Sequence, residues 1–249
     1  MDLYGIVGFP LTHSFSPRYF TGKFEREGID AEYVKFEIPD ISLFPEIISS
    51  NVNLKGLNVT IPYKEQIMKY LDRLDSQAED IGAINVIKVQ RDNDKVELIG
   101  YNSDIVGFQN SIQPLLDKSA HAQALILGTG GASKAVAKGL ENLNIDFVFV
   151  SRTAKAGQLT YQDLTREVIN KYKVIVNTSP LGTYPDIDAA PDIPYQYISS
   201  DHLLYDLVYN PAETKFLRLG KEQGAIVKNG VEMLELQALA AWDIWNSKI

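Results

Sequence analysis

Residues 123–143 read QALILGTGGASKAVAKGLENL. An apolar run, QALILG, passes directly into a glycine cluster and then into a helix-forming stretch, which is the context a dinucleotide-binding fingerprint requires. Gly128 permits the tight turn, and Gly130 lets the backbone approach a pyrophosphate. Gly131 completes the cluster, and the helix beyond it offers amide donors and the positive end of its dipole. Ser133 stands where the general pattern has Gly or Ala. The plain alternative is a strand-to-helix turn that holds nothing.

After this stretch come DFVFVSR, YKVIVNTSP, LLYDLV and AIVKNG, with helical patterns between several of them. Five short apolar strands with crossovers predict an open, doubly wound sheet. The strand DFVFV ends in Ser151, Arg152 and Thr153. A carboxylate at this place would bind a ribose 2′-hydroxyl and repel a 2′-phosphate; the Arg152 guanidinium can meet the phosphate with two charge-assisted bonds or stack on the adenine. NADP is therefore the expected cofactor. Lys155 adds a second positive charge there, or is simply solvated.

Toward the N-terminus, YGIVGF, AEYVKFEI and KGLNVTI alternate with SPRYFTGKFEREG, SLFPEIISS and PYKEQIMKYLDRL. Such alternation predicts βαβ units and a parallel sheet. INVIKVQ and KVELIGY flank the turn-like RDND and are expected to close this first series as a hairpin. The polar YNSD that follows suits a hinge, and the second series restarts at about residue 104. At the other end, GVEMLELQALAAWDIW places Val231, Leu234, Ala238, Ala241 and Trp245 at steps of three and four. That is an amphipathic helix whose apolar stripe needs a partner.

The first series also carries clustered polar residues. Ser14 and Ser16 are two apart, so an extended backbone would aim both hydroxyls at one anion. Ser16 as N-cap and Pro17 at the first helical position would add helix amides, with capping alone as the plain alternative. Asn58 and Thr60 repeat the spacing, and Pro62 is expected to open a helix with Lys64 in its first turn, where a cation opposes the dipole. Asn85 and Asp104 sit at other strand ends; Asp104 also reads as the N-cap of IVGFQNSIQPLL.

Composition removes other chemistries. The 249 residues, 45% hydrophobic, suffice for one large or two ordinary domains. No apolar run approaches the ~20 residues of a membrane span, and the opening MDLYGIVGFP does not read as a signal peptide, so a cytoplasmic location is expected. With no cysteine there are no disulfides or thiolate metal sites. A net charge of −8 disfavours nucleic acid and anionic membranes as partners. His13, His121 and His202 are too scattered to suggest a metal site, and neither G-x-S-x-G nor G-x-x-x-x-G-K-[ST] occurs.

HSFSP, LNVTIPYK, GAINVI, GYNSDIVGF, GTGGAS, SRT, NTSPLG, YDLVYNP and NGVEML…QA occur in that order. By these motifs the chain, from residue 5 to about residue 245, resembles the shikimate dehydrogenase family. The resemblance implies an α/β substrate-binding domain, residues 1–102, to which a C-terminal helix in 230–249 returns, and a Rossmann-like NADP-binding domain, residues 103–229. It implies NADPH-dependent, reversible reduction of 3-dehydroshikimate to shikimate in aromatic amino acid biosynthesis. Ser14 and Ser16 would bind the substrate carboxylate. Asn58, Thr60, Asn85, Tyr209 and Gln237 would contact ring hydroxyls or carboxylate, and Lys64 with Asp104 would be the catalytic pair. Gly128, Thr129, Gly130, Gly131, Ala132, Ser151, Arg152, Thr153 and Lys155 would hold NADP, with Leu207 and Gly230 near the nicotinamide.

Ser103, Ser151 and Glu232 depart from the family's commoner Thr, Asn and Gly. Two rivals share the fold: a quinate-preferring NAD enzyme, opposed by the serine pair and Arg152, and a silent NADP-binding sensor, opposed by Lys64 and Asp104. Monomer and homodimer both remain open.

Overall fold

A computed structural model describes residues 1–12, 14–92, 95–153 and 155–247. His13 therefore lies outside the described residues, as do Asn93 and Asp94 of the expected hairpin turn. The chain divides into two compact units, residues 1–103 with 237–249, and residues 104–236. Among the described residues no helix is long and apolar enough to cross a membrane.

The first unit is built on strands β1 (Asp2–Gly8), β2 (Ala31–Glu37), β3 (Leu54–Val59), β4 (Arg73–Leu74), β5 (Val86–Asp92) and β6 (Lys95–Tyr101). They lie in the order β2-β1-β3-β5-β6-β4. Helices α1 (Phe15–Glu27), α2 (Phe44–Ser50) and α3 (Ser76–Ile81) connect them, and α4 (Ser103–Ile112) follows β6. β2, β1 and β3 are parallel, as the alternating pattern requires, but β5 is antiparallel to both β3 and β6. The sheet is thus mixed rather than parallel. A parallel crossover needs a dozen or more residues, usually in a helix that spans the sheet. Residues 60–85 form only turns, a 3₁₀ segment over Gln66–Tyr70, the two-residue β4 and the six-residue α3. The chain re-enters at the end it left, with Asn58 paired to Val86.

The second unit is a six-stranded, wholly parallel sheet: β7 (Gln123–Leu127), β8 (Asp146–Ser151), β9 (Leu159–Thr160), β10 (Val174–Asn177), β11 (Leu203–Asp206) and β12 (Ile226–Lys228). The order β12-β11-β10-β7-β8-β9 reverses direction between β7 and β10, and ligands of open α/β sheets bind beyond the carboxyl ends at such a switch point. All five expected strands form, as β7, β8, β10, β11 and β12, and the sixth, β9, is a two-residue edge too short to show a pattern. Helices α5 (Gly131–Asn142), α6 (Arg166–Lys171) and α7 (Lys215–Glu222) cross between strands. Apolar clusters cover both faces, one around Phe108, Val136 and Tyr205 and one around Leu127, Ile169 and Phe216. β7, β10 and β11 therefore read as nearly uninterrupted apolar runs.

The last helix, α8 (Val231–Asn246), begins in the second unit and from Gln237 belongs to the first. Its stripe finds its partner on the first sheet. Ala238, Ala241 and Trp245 are buried with Tyr4, Ile6, Phe20, Phe24 and Val86. In the first turn Met233 is the buried residue, while Val231, which the stripe included, is exposed. The two alanines let the backbone come close, and Trp245 lies on Gly56 with its Nε1–H donating to the Ile87 carbonyl at 3.1 Å. Lys88, itself buried, donates from Nζ to the Ser247 carbonyl at 2.5 Å and to Ser247 Oγ at 2.9 Å, which puts a cation at the negative end of the helix dipole.

A Cβ at Gly56 would stand 2.3 Å from the Trp245 indole. Overpacking of a settled core costs about 1–3 kcal/mol. Gly56→Ala is therefore expected to lower the unfolding free energy by that amount, seen as a lower urea midpoint with little change in slope. A wild-type midpoint would remove this contact from the account.

Candidate active site

In the first unit, polar side chains gather at the ends of β3, β5 and β6. Asn58, Asn85, Ser103 and Gln237 are 4%, 3%, 0% and 7% exposed. Amides and hydroxyls this deep are tolerated only when hydrogen-bonded. Tyr33 Oη donates to Asn58 Oδ1 at 2.7 Å, and Asn58 Nδ2 reaches the Asn85 carbonyl at 3.4 Å, which also accepts the Val59 N–H at 2.8 Å. Asn85 Oδ1 accepts the Ser103 N–H at 2.7 Å, and Asn85 Nδ2 donates to Ser103 Oγ at 3.1 Å. Ser103 Oγ in turn lies 3.3 Å from Gln237 Oε1, as donor. Three of the expected substrate residues, Asn58, Asn85 and Gln237, are thereby brought into one network, joined by Tyr33 and Ser103. Tyr33 carries no signal in the sequence, since it reads as one more core residue of AEYVKFEI. Ser103 stood out only as a departure.

The serine pair is placed differently from expectation. Ser14, not Ser16, is the N-cap of α1, and Phe15 and Ser16 are already helical. Phe15 stacks near Tyr19 one turn on, with ring centroids 5.3 Å apart, and this i, i+4 contact draws the helix start back by two residues. The Ser14 hydroxyl makes no capping bond, so the capping alternative explains neither serine. Ser16 is buried. Both remain at the N-terminus of a 13-residue helix with no acidic residue in its first turn.

Lys64 does not begin a helix. Its carbonyl accepts the Ile84 N–H at 2.7 Å, and the Met68 N–H goes to Glu65 three residues back, so no α-helical ladder starts at Pro62. The dipole argument for Lys64 falls with that helix. Lys64 is half-buried in a turn, joined by this backbone bond to the residue before Asn85. Thr60 follows β3 directly, its N–H bonded to the Val7 carbonyl at 3.0 Å. Asp104 lies in the first turn of α4, which starts at Ser103; it is not the N-cap, although an acid is favoured there. Asp104 and Tyr209 belong to the second unit, Tyr209 41% exposed beyond β11.

In the second unit, the glycine cluster sits at the switch point. Gly128 has φ +112°, and a Cβ on it would meet Thr178 Oγ1 at 2.9 Å, so conformation and space both demand glycine. Gly130 is the N-cap of the 12-residue α5 and Gly131 its first residue, and a Cβ on either would meet no protein atom within 4 Å. Packing does not explain these two, and the open space leaves room for a ligand to approach the backbone. Ser133 is buried and donates to the Gly130 carbonyl at 2.6 Å, which is how a serine fits that position. Thr129 and Ala132 are exposed beside the cluster.

At the end of β8, Ser151 Oγ accepts the Thr153 N–H at 3.3 Å and donates to the Thr153 carbonyl at 3.1 Å, a turn that leaves Arg152 exposed. A guanidinium and hydroxyls are the groups a 2′-phosphate needs; burial raises the pKa of the nearby Tyr161, and the Arg152 charge offsets part of that rise. Lys155 is exposed. Gly230 is required by packing, since a Cβ there would lie 2.2 Å from the Leu207 carbonyl. Glu232 pairs with Lys228 across the first turn of α8. His121 and His202 are buried and bonded to backbone: His121 to the Asp117 N–H and the Asp201 carbonyl, His202 to the Ser199 N–H and the Ile169 carbonyl.

One buried carboxylate stands one strand beyond the switch point. Asp206, 0% exposed at the end of β11, accepts from Asn177 Nδ2 at 2.9 Å, the Val208 N–H at 3.0 Å and Thr214 Oγ1 at 2.5 Å. Asn177 Oδ1 accepts the Ser179 N–H and Oγ–H at 3.0 and 2.6 Å. One carboxylate thus ties the loops after β10 and β11 to the N-cap of α7. Burial pushes its pKa from 3.8 up to about 6, the three hydrogen bonds pulling the other way.

Comparison with known proteins agrees with the geometry. Residues 6–87 match the family model described as the shikimate dehydrogenase substrate binding domain. The shikimate dehydrogenase (NADP(+)) of Clostridium beijerinckii is 38% identical, over 98% of this chain and 92% of its own. The crystal structure of shikimate dehydrogenase from Aquifex aeolicus superposes with a TM-score of 0.84 at 33% identity, covering 99% of this chain and 92% of that one. That from Thermus thermophilus in complex with NADP(H) and shikimate gives 0.84 at 27% identity, covering 100% and 95%.

The Asp206 carboxyl binds its proton more tightly in the folded protein than in the unfolded chain. Its favourable contribution is therefore complete below pH ~4 and is lost as pH rises through about 6, a difference of roughly 3 kcal/mol. Asp206→Asn, which cannot titrate, is expected to gain stability relative to wild type between pH 4 and pH 7, whatever constant offset its altered hydrogen bonds impose. Urea unfolding at the two pH values measures this, and a pH-independent difference would refute it.

Proposed function

The chain belongs to the shikimate dehydrogenase family, and on that premise we propose that Lys64 and Asp104 carry the proton chemistry of its reaction. The activity is the NADP-dependent interconversion of 3-dehydroshikimate and shikimate. Bound NADPH supplies the hydride. What this chain must supply is binding, orientation and a proton.

The observation that carries the reading is the buried network through Asn58, Asn85, Ser103 and Gln237. Amides held this rigidly suit a ligand with several hydroxyls in fixed geometry. Ser14 and Ser16 lie at the start of α1, where backbone amides and the dipole favour an anion, so they take the carboxylate. Thr60 and Tyr209 complete the hydroxyl contacts. Gly128, Thr129, Gly130, Gly131 and Ala132 hold the pyrophosphate at the start of α5. Ser151, Arg152, Thr153 and Lys155 hold the 2′-phosphate, and Leu207 with Gly230 line the nicotinamide end.

The ketone oxygen becomes an alkoxide as the hydride arrives. Lys64 brings a positive charge and a transferable proton to that oxygen in one group, which is why it serves better than a neutral donor. Asp104 accepts a hydrogen bond from a substrate hydroxyl and orients it for the transfer.

Lys64→Ala is expected to lower kcat by about 10²-fold to 10⁴-fold, the range of a lost general acid, with a smaller change in KM. Near-wild-type kcat would overturn the assignment. Arg152→Ala is expected to raise the KM for NADPH about 10-fold to 100-fold, the worth of charge-assisted hydrogen bonds, and to leave the KM for NADH nearly unchanged. Equal effects on both cofactors would place Arg152 away from the 2′-phosphate.

A further inference from the structure

We propose that Tyr33 is a positioning residue for substrate binding: its buried hydroxyl holds the side chain of Asn58 and fixes the direction in which that amide presents its hydrogen-bonding groups. The inference rests on the reading that Asn58 binds substrate.

Tyr33 lies on β2, the edge strand, one strand removed from Asn58 on β3. Packing sets its ring, which stacks on Phe20 with centroids 4.9 Å apart and planes 12° from parallel. The ring is 8% exposed, and its hydroxyl reaches past β1 to Asn58 Oδ1 at 2.7 Å. Burial pushes the phenol pKa well above its ordinary value, so the group stays protonated throughout the working pH range.

A phenol has one proton to give, and here it goes to Asn58. An asparagine amide has nearly the same shape when flipped, so only its partners decide which end faces a ligand. With Oδ1 held by Tyr33 and one N–H directed to the Asn85 carbonyl at 3.4 Å, the second N–H is the group left to meet a substrate oxygen. Asn58 is thereby made a donor toward the substrate. One group on a strand remote from the substrate residues thus fixes a ring-hydroxyl contact, and that preorganisation lowers the cost of binding.

The full-length enzyme tests this through Tyr33→Phe, which keeps the ring and its stacking and removes only the hydroxyl. Steady-state kinetics with shikimate and NADP+ would be measured for Tyr33→Phe, Asn58→Ala and the double variant. Expected for Tyr33→Phe is a rise in shikimate KM of about 3-fold to 10-fold, the worth of one net hydrogen bond, with the NADP+ KM unchanged. In the Asn58→Ala background the same substitution should have little further effect. Unchanged shikimate KM for Tyr33→Phe beside a raised KM for Asn58→Ala overturns the role of Tyr33. Additive effects overturn the route through Asn58, and parallel changes in both KM values mark a purely structural tyrosine and also overturn it. If Asn58→Ala itself leaves shikimate KM unaltered, the substrate reading of Asn58 fails and the proposal falls with it.

Discussion

Amides and hydroxyls withdrawn from water must each find a partner, and the arrangement of this protein follows from how that demand is met in two places. An unsatisfied buried group costs about 1–3 kcal/mol, comparable to the whole effect of a typical damaging substitution. In the first unit, Asn85 answers the demand with both ends of its side chain and with its carbonyl, which accepts from Val59 and Asn58. Its neighbour Ile84 is tied to Lys64 through backbone. The turn that carries Lys64 is thus held by the segment that leads through Asn85 into β5.

The same network depends on α8. Gln237 joins it through Ser103, and Gln237 is held there by the packing of residues further along the helix: Ala238 and Ala241 against the aromatic cluster, Trp245 over Gly56, and Lys88 at the helix end. Apolar burial supplies the energy, at about 25 cal/mol per Å². The hydrogen bonds from Trp245 and Lys88 supply register, since a slip along the helix would break both.

The second unit meets the demand with a charge. Asp206 accepts three hydrogen bonds and so keeps the loops after β10 and β11 together, at the cost of a carboxyl whose pKa burial has raised. Across the switch point, Gly128 is compelled by its positive φ and by Thr178, whereas Gly130 and Gly131 are under no packing constraint. The glycines of one motif therefore differ: the fold compels the first, and packing leaves the others free.

Local patterns carried much of this in the sequence itself. The strand, glycine and helix succession at 123–143, the end of β8 at Arg152 and the stripe of α8 depend on residues near one another in the chain, where periodicity and turn chemistry act. Function was legible at the same level, through motifs that each lie within a few residues. Three features were decided only by tertiary structure. The first sheet is mixed because residues 60–85 are too short of helix to cross it, and Lys64 sits in a turn because its carbonyl is claimed by Ile84. The roles of Tyr33 and Asp206 rest on partners 25 and 29 residues away, Asn58 and Asn177. No local pattern encodes such a pairing, because only strand order brings the two hydrogen-bonding groups to one place.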